Sequence, residues 1–184
     1  DVYVCMDTTH ESINQLKNVR KCTFETNIKH IDNLHIQISR SSLCYDSIDD
    51  PERYDWFIKI RPDYLLDAST FPKIELWDKN CINSKLRLTG NKSLTNKYFF
   101  SWSSWCWNEP YDIPDDQMFI VPKSIHQLAF SLKQGSYPIP ELKSNRWGSF
   151  PELQQANLWF SHGISCKPIA FKGTILKFKR MLFV

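Results

Sequence analysis

The segment that most constrains this chain is Trp56-Phe57-Ile58-Lys59-Ile60, followed at once by Arg61-Pro62-Asp63. A run of aromatic and β-branched residues reads as a strand buried on at least one face. Proline lacks the N–H a ladder needs and holds the residue before it extended, so the strand must stop there. Asp63 then sits at the strand's C-terminal edge, where ligands bind in open α/β sheets. With Lys59 and Arg61 beside it, the Asp63 carboxylate has the parts to hold a divalent cation and an anionic diphosphate together. An Arg–Asp turn that only closes a loop accounts for the same residues equally well.

Around this strand the chain alternates between the two hydrophobic periods. Val2–Met6 reads as a strand, leading into Asp7-Thr8-Thr9. Residues 11–22 carry apolar positions at near-helical spacing, with Thr8 or Thr9 as N-cap. Leu34–Ile38 alternates and reads as a second strand; residues 39–50 read as a polar loop. Asp50-Pro51 has the form of a cap and first position of one helical turn. Residues 67–72 read as loop, and 74–77, 86–88 and 96–101 as short strands. A strand is expected at 117–121, helices near 124–133 and 151–162, and helix stops at Gly135 and Gly163. The tail from Pro168 alternates weakly. The order predicts a single α/β domain over 1–184, a central mixed, mainly parallel sheet flanked by helices, with Trp56–Ile60 as its central strand.

Composition narrows the function classes. The chain has 184 residues, 42% of them hydrophobic, enough for a sizeable core. Its 23 basic and 20 acidic residues leave a net charge of +3, too balanced for a protein that coats nucleic acid. Only five glycines are present, and they form neither a dinucleotide fingerprint nor a P-loop. Any phosphate must therefore be held by cations or a metal. The six cysteines include no CxxC pair, which argues against a zinc ribbon or a redox dithiol. They fit buried thiols in a reducing compartment. The opening residues carry no leader pattern, and no apolar run reaches the about 18 residues of a membrane span. These features point to the cytoplasm.

Three acidic groups compete for chemistry. Asp63 is one. Asp115 and Asp116 are adjacent in front of a strand, so their side chains point to opposite sides; one can face a pocket as general base while the other pairs structurally. A solvated acidic turn is the plainer reading. Asp46, Asp49 and Asp50 read as capping and solubility. His162, near a helix end, has the chemistry of a metal ligand, and Lys167 that of a phosphate contact, although a helix stop explains the histidine as well. His10, His30, His35 and His126 fall at no metal-ligand spacing. Trp102, Trp105 and Trp107 offer flat faces for a sugar, though core packing is the commoner use.

Three motifs occur in a telling order: YD-strand-RPD at 54–63, DDQMF at 115–119 and a late PE helix from 151. Over roughly residues 1–175 the chain resembles the GT-A-type nucleotide-sugar glycosyltransferases of bacterial surface-polysaccharide loci and of large DNA viruses such as the chloroviruses. The resemblance implies a nucleotide-diphosphate sugar donor, UDP favoured, a glycan or glycoprotein acceptor and a Mn²⁺ or Mg²⁺ ion, with no nucleic acid and no membrane span. In a viral setting it implies the host cytoplasm. It makes Asp63 the metal acid, with His162 a second candidate ligand. Lys59, Arg61 and Lys167 would meet the diphosphate, Asp116 or Asp115 would be the base, and Trp102, Trp105 and Trp107 would stack on the acceptor. Arg61 stands where the family has the first acid of DxD. The family's first strand would either precede this chain or be Val2–Met6, with Asp7, Thr8 and Thr9 lining the base pocket. The rival classes are a non-catalytic carbohydrate-binding module and a nucleic-acid binder using the basic tail with Phe171 and Phe178.

Overall fold

The computed structural model describes residues 1–6, 19–24, 33–61, 64–88, 113–131 and 151–175. They contain mixed α and β structure in two compact units, Asp1–Trp56 with Lys123–Ser165, and Phe57–Pro122 with Cys166–Val184.

In the first unit, β1 (Val2–Met6) pairs in parallel with β2 (Val19–Phe24). β1 is the expected strand. β2 corrects the end of the helix expected at 11–22; residues 11–18 lie outside the described set. Val19, Thr23 and Phe24 favour a pleated surface, and an apolar pair three apart does not by itself decide the period. Helix α1 (Asn33–Asp46) replaces the expected strand at 34–38 and most of the expected loop at 39–50. Leu34 and Ile38 are four apart and Tyr45 is seven further on, so one stripe fits a helix as well as a strand. Pro51–Arg53 forms the expected single turn, a 3₁₀ turn after Asp50, whose side chain makes no capping bond.

The expected helix near 124–133 is present as a 3₁₀ turn, Lys123–Ile125, running into α2 (His126–Ser131). Residues 132 and 133, and the stop expected at Gly135, lie outside the described set. Helix α3 (Pro151–Ser161) begins with proline, as expected. It ends in a Schellman motif: Gly163 N–H reaches Phe160 O at 3.1 Å and Ile164 N–H reaches Trp159 O at 2.9 Å. That closure needs a left-handed residue, and Gly163 supplies it with φ of 78°. Trp159 is fully buried, and its indole N–H donates to Ala129 O of α2 at 3.1 Å.

The second unit holds a four-stranded sheet in the order β3 (Trp56–Ile60), β6 (Ile113–Pro122), β5 (Ile82–Leu88), β7 (Cys166–Pro168). β5 runs antiparallel to β6 and parallel to β7, so the sheet is mixed rather than mainly parallel. The expected central strand is corrected as well. Among the described residues β3 lies at the sheet edge, with Ile58 48% and Ile60 45% exposed. The central strands are β6, whose Met118–Val121 are buried on both faces, and β5. β5 was legible only at 86–88 because its first half is polar. Asn83 is nevertheless fully buried and satisfied: it donates to Asp78 O and Cys81 O and accepts from Asp78 N–H.

β4 (Tyr64–Leu66), just ahead of the expected loop at 67–72, and β8 (Gly173–Ile175), in the weakly alternating tail, form a separate antiparallel ribbon. Ile74–Leu76 is a 3₁₀ turn, not a strand; its alternation places Ile74 and Leu76 in the open, 50% and 62% exposed. The strand expected at 96–101 lies outside the described residues. Tyr64 and Phe71 pack edge-on against Phe171, and Trp77 packs edge-on against Phe71. Phe171 is buried there, which corrects its assignment as a stacking platform for nucleic acid. Gly173 lies flat under Tyr64: an added Cβ would sit 2.2 Å from the phenol oxygen. Gly173→Ala is therefore expected to destabilise the chain by about 1–3 kcal/mol through overpacking. Urea unfolding checks this, and an unchanged midpoint would contradict it.

Candidate functional site

β6 does not run evenly along β5. Ser84 pairs with Phe119 and Leu86 with Pro114, so one residue of β5, Lys85, faces four of β6, Asp115–Met118. The DDQM segment is thus a wide bulge. Bulges leave backbone groups off the ladder and re-aim side chains, and they recur next to active sites. Expecting the acids in front of a strand was incorrect; they lie inside one. The solvated-turn reading fails too, since Asp115 and Asp116 are 2% and 5% exposed.

The carbonyls of the bulge find partners on the neighbouring segments, and one N–H finds one within the bulge. Ser84 Oγ donates to Met118 O at 3.0 Å and lies 3.3 Å from Asp115 O. Arg61 N–H donates to Gln117 O at 2.9 Å. Lys59 Nζ donates to Asp116 O. Gln117 N–H donates to Asp115 Oδ1 at 3.3 Å, closing the turn on itself. These bonds satisfy main-chain groups of a buried polar stretch that the ladder leaves unpaired.

The two carboxylates meet different surroundings, as adjacent strand residues should. Asp116 Oδ2 faces the Arg61 guanidinium at 3.4 Å. Asp115 acts electrostatically on two buried groups, Lys85 and Tyr64. Burial lowers the Lys85 pKa, with Asp115 opposing the shift; Lys85 Nζ also lies over the Phe171 ring. Burial, with the Asp115 charge adding to it, pushes the Tyr64 phenol up to about 12.

The structure brings Lys59, Arg61, Asp115 and Asp116 together in the second unit. Lys167, on β7, is solvent-exposed, and its Nζ lies 3.8 Å from Asp78 Oδ2, a surface pair of little energetic weight. His162 belongs to the first unit, where its Nδ1 is 2.8 Å from Leu158 O and 3.1 Å from Ser161 Oγ. It therefore serves the helix end. Asp7, Thr8, Thr9, Asp63, Trp102, Trp105 and Trp107 lie outside the described residues. Among the described residues, no group of three or more His, Cys, Asp or Glu is arranged to hold a metal ion. The two acids of the bulge already have partners in Arg61 and in Gln117 N–H, so this donor set does not fit a metal.

Some residues with chemical character escaped the sequence reading. Lys85 and Gln117 are buried polar side chains inside strands, and a lysine breaking the apolar period of β5 was the available signal. His126 was set aside for its spacing, yet it is buried between Tyr45, whose hydroxyl is 2.6 Å from Nδ1, and Glu52, 3.3 Å from Nε2. Its partners come from distant segments, which spacing does not reveal. Comparison with protein-family models, curated proteins and solved structures returns no match. No helix among the described residues is long and apolar enough to cross a membrane.

Proposed function

We propose that this chain is a glycosyltransferase that moves a sugar from a nucleotide-diphosphate sugar, UDP favoured, to a glycan or glycoprotein acceptor, with the β6 bulge as its reacting centre. The supporting observation is the Arg61–Asp116 contact at 3.4 Å. It joins two motifs that lie far apart in the chain and that suggested this chemistry separately, the basic end of β3 and the acid pair.

The chemistry follows from the charges. A departing nucleotide diphosphate gains negative charge, and fixed cations facing it lower the barrier. Lys59 and Arg61 supply two, held on one strand edge by their bonds to the bulge. Asp116 removes the proton of an acceptor hydroxyl attacking opposite the leaving group. Asp115 braces the turn through Gln117 N–H. In a retaining reaction the acid pair would orient the acceptor instead. The expectation of Mn²⁺ or Mg²⁺ rests on Asp63, and no step above is routed through a metal.

Arg61→Ala and Lys59→Ala test the cation role. Each is expected to weaken UDP binding about tenfold, the weight of one charge-assisted hydrogen bond. Calorimetric titration with UDP, with and without Mn²⁺, measures this. UDP affinity equal to wild type in both variants would show that these cations only hold β6. Binding of free sugars without any nucleotide affinity would favour a carbohydrate-binding module.

A further inference from the structure

Among the described residues, strand β3 meets a neighbouring strand along one edge only. Asp55 O accepts from Lys123 N–H and Arg61 N–H donates to Gln117 O, so both ends of the strand turn their backbone groups to the β6 side. Backbone groups alternate sides along a strand. Ile58, three residues from each end, therefore turns its N–H and C=O to the opposite edge. The side chains of Ile58 and Ile60 are exposed on one face, while Phe57 on the other is buried. Proteins usually blunt such an edge with a charge or a bulge, because it invites another strand. Here the one charged side chain within the strand, Lys59, is drawn away to Asp116 O. The edge stays apolar.

The order of residues selects the occupant. Asp55 precedes β3 and Arg61 follows it, each three residues from Ile58. An antiparallel pairing of β3 with β3 of a second copy, about a two-fold axis at Ile58, uses the whole strand. Ile58 then lies opposite itself, Trp56 opposite the partner's Ile60, and Asp55 opposite the partner's Arg61. The charged ends are complementary and no like charges face each other. Other registers lose this. An axis at Lys59 sets Lys59 against itself, and one at Ile60 sets it against the partner's Arg61; like charges directly opposite are destabilising. An axis before Ile58 shortens the paired segment. The geometry points to β3 as a self-pairing edge, through which two copies of this chain join as an isologous dimer. The inference is independent of the glycosyltransferase reading. Arg61 is common to both, so the partner's Asp55 would lie beside the cation that faces Asp116.

Sedimentation of the full chain from about 1 to 500 μM tests it, a span chosen because one strand pair is a small interface of the weak class. The wild type is expected to become dimeric as concentration rises. Ile58→Lys disturbs no buried contact, since the side chain is exposed, but it sets like charges against each other on the axis. It is expected to stay monomeric throughout. Asp55→Arg, placed against the partner's Arg61 at both ends, is expected to weaken the dimer at least about tenfold. Cross-linking reads the register. Paired Cα atoms at Ile58 would stand about 5.5 Å apart, within the span of a disulfide. Mild oxidation of Ile58→Cys should therefore give a covalent dimer. Ile60→Cys should not, because its two copies lie roughly 13 Å apart, four residues along the ladder. The wild type, with its own six cysteines, is the control for both. A wild type that is monomeric at every concentration overturns the inference. So does a dimer that Ile58→Lys leaves intact, or cross-linking through Ile60→Cys in place of Ile58→Cys.

Discussion

Asp116→Asn is expected to lower sugar transfer by a factor of about 10² to 10⁴, the usual weight of a positioned general base. The substitution keeps the side chain's size in a place that is 5% exposed, so no cavity opens. An amide oxygen still accepts from Arg61, which limits the structural cost; the guanidinium is itself one-third exposed, so solvent screens part of what is lost. Donor binding should stay within about threefold of wild type, because Lys59 and Arg61 remain. Steady-state transfer and donor titration together read out this split between kcat and affinity. If Asp115→Asn and Asp116→Asn both transfer at the wild-type rate, the bulge is a structural turn. A loss of donor affinity in Asp116→Asn would instead place the carboxylate among the groups that bind the donor.

Trp159→Ala is expected to cost about 3–5 kcal/mol, the range for removing a large buried aromatic side chain. The indole is 2% exposed, and its N–H satisfies Ala129 O at 3.1 Å. Alanine leaves both a cavity and an orphaned carbonyl where α3 meets α2. Native domains have only about 5–15 kcal/mol in reserve, so the urea midpoint should fall steeply. Trp159→Phe separates the two contributions: it keeps most of the packing and loses about 1 kcal/mol for the hydrogen bond. A midpoint for Trp159→Ala within error of wild type would contradict the packing assigned to α3.

Elements with unambiguous local signals were legible in the sequence. β1, β3, the 3₁₀ turn at Pro51 and helix α3 with its Gly163 stop rest on an apolar run, a proline at a first turn and a glycine at a left-handed position. Segments whose apolar residues satisfy two periods were misread. Leu34–Ile38 alternates yet belongs to α1, and Val19–Cys22 has helical spacing yet belongs to β2. Strand order was not legible either. Trp56–Ile60 has the most strand-like composition but lies at the edge, whereas polar β5 is central because Asn83 and Ser84 bond inward. At the candidate site the acids and cations could be named from sequence. The bulge that joins them could not, since register is decided between strands and leaves no local trace.

The most direct test of the central claim is turnover of nucleotide-diphosphate sugars by the wild-type chain. UDP-, GDP- and TDP-sugars are supplied one at a time with Mn²⁺ and simple alkyl glycosides as acceptors, and release of the nucleoside diphosphate is followed alongside formation of the glycosylated product. The account predicts that at least one donor is consumed with matching product, and that Asp116→Asn forms that product at least about 100-fold more slowly. Absence of both binding and turnover with every donor would contradict it, as would equal turnover by wild type and Asp116→Asn.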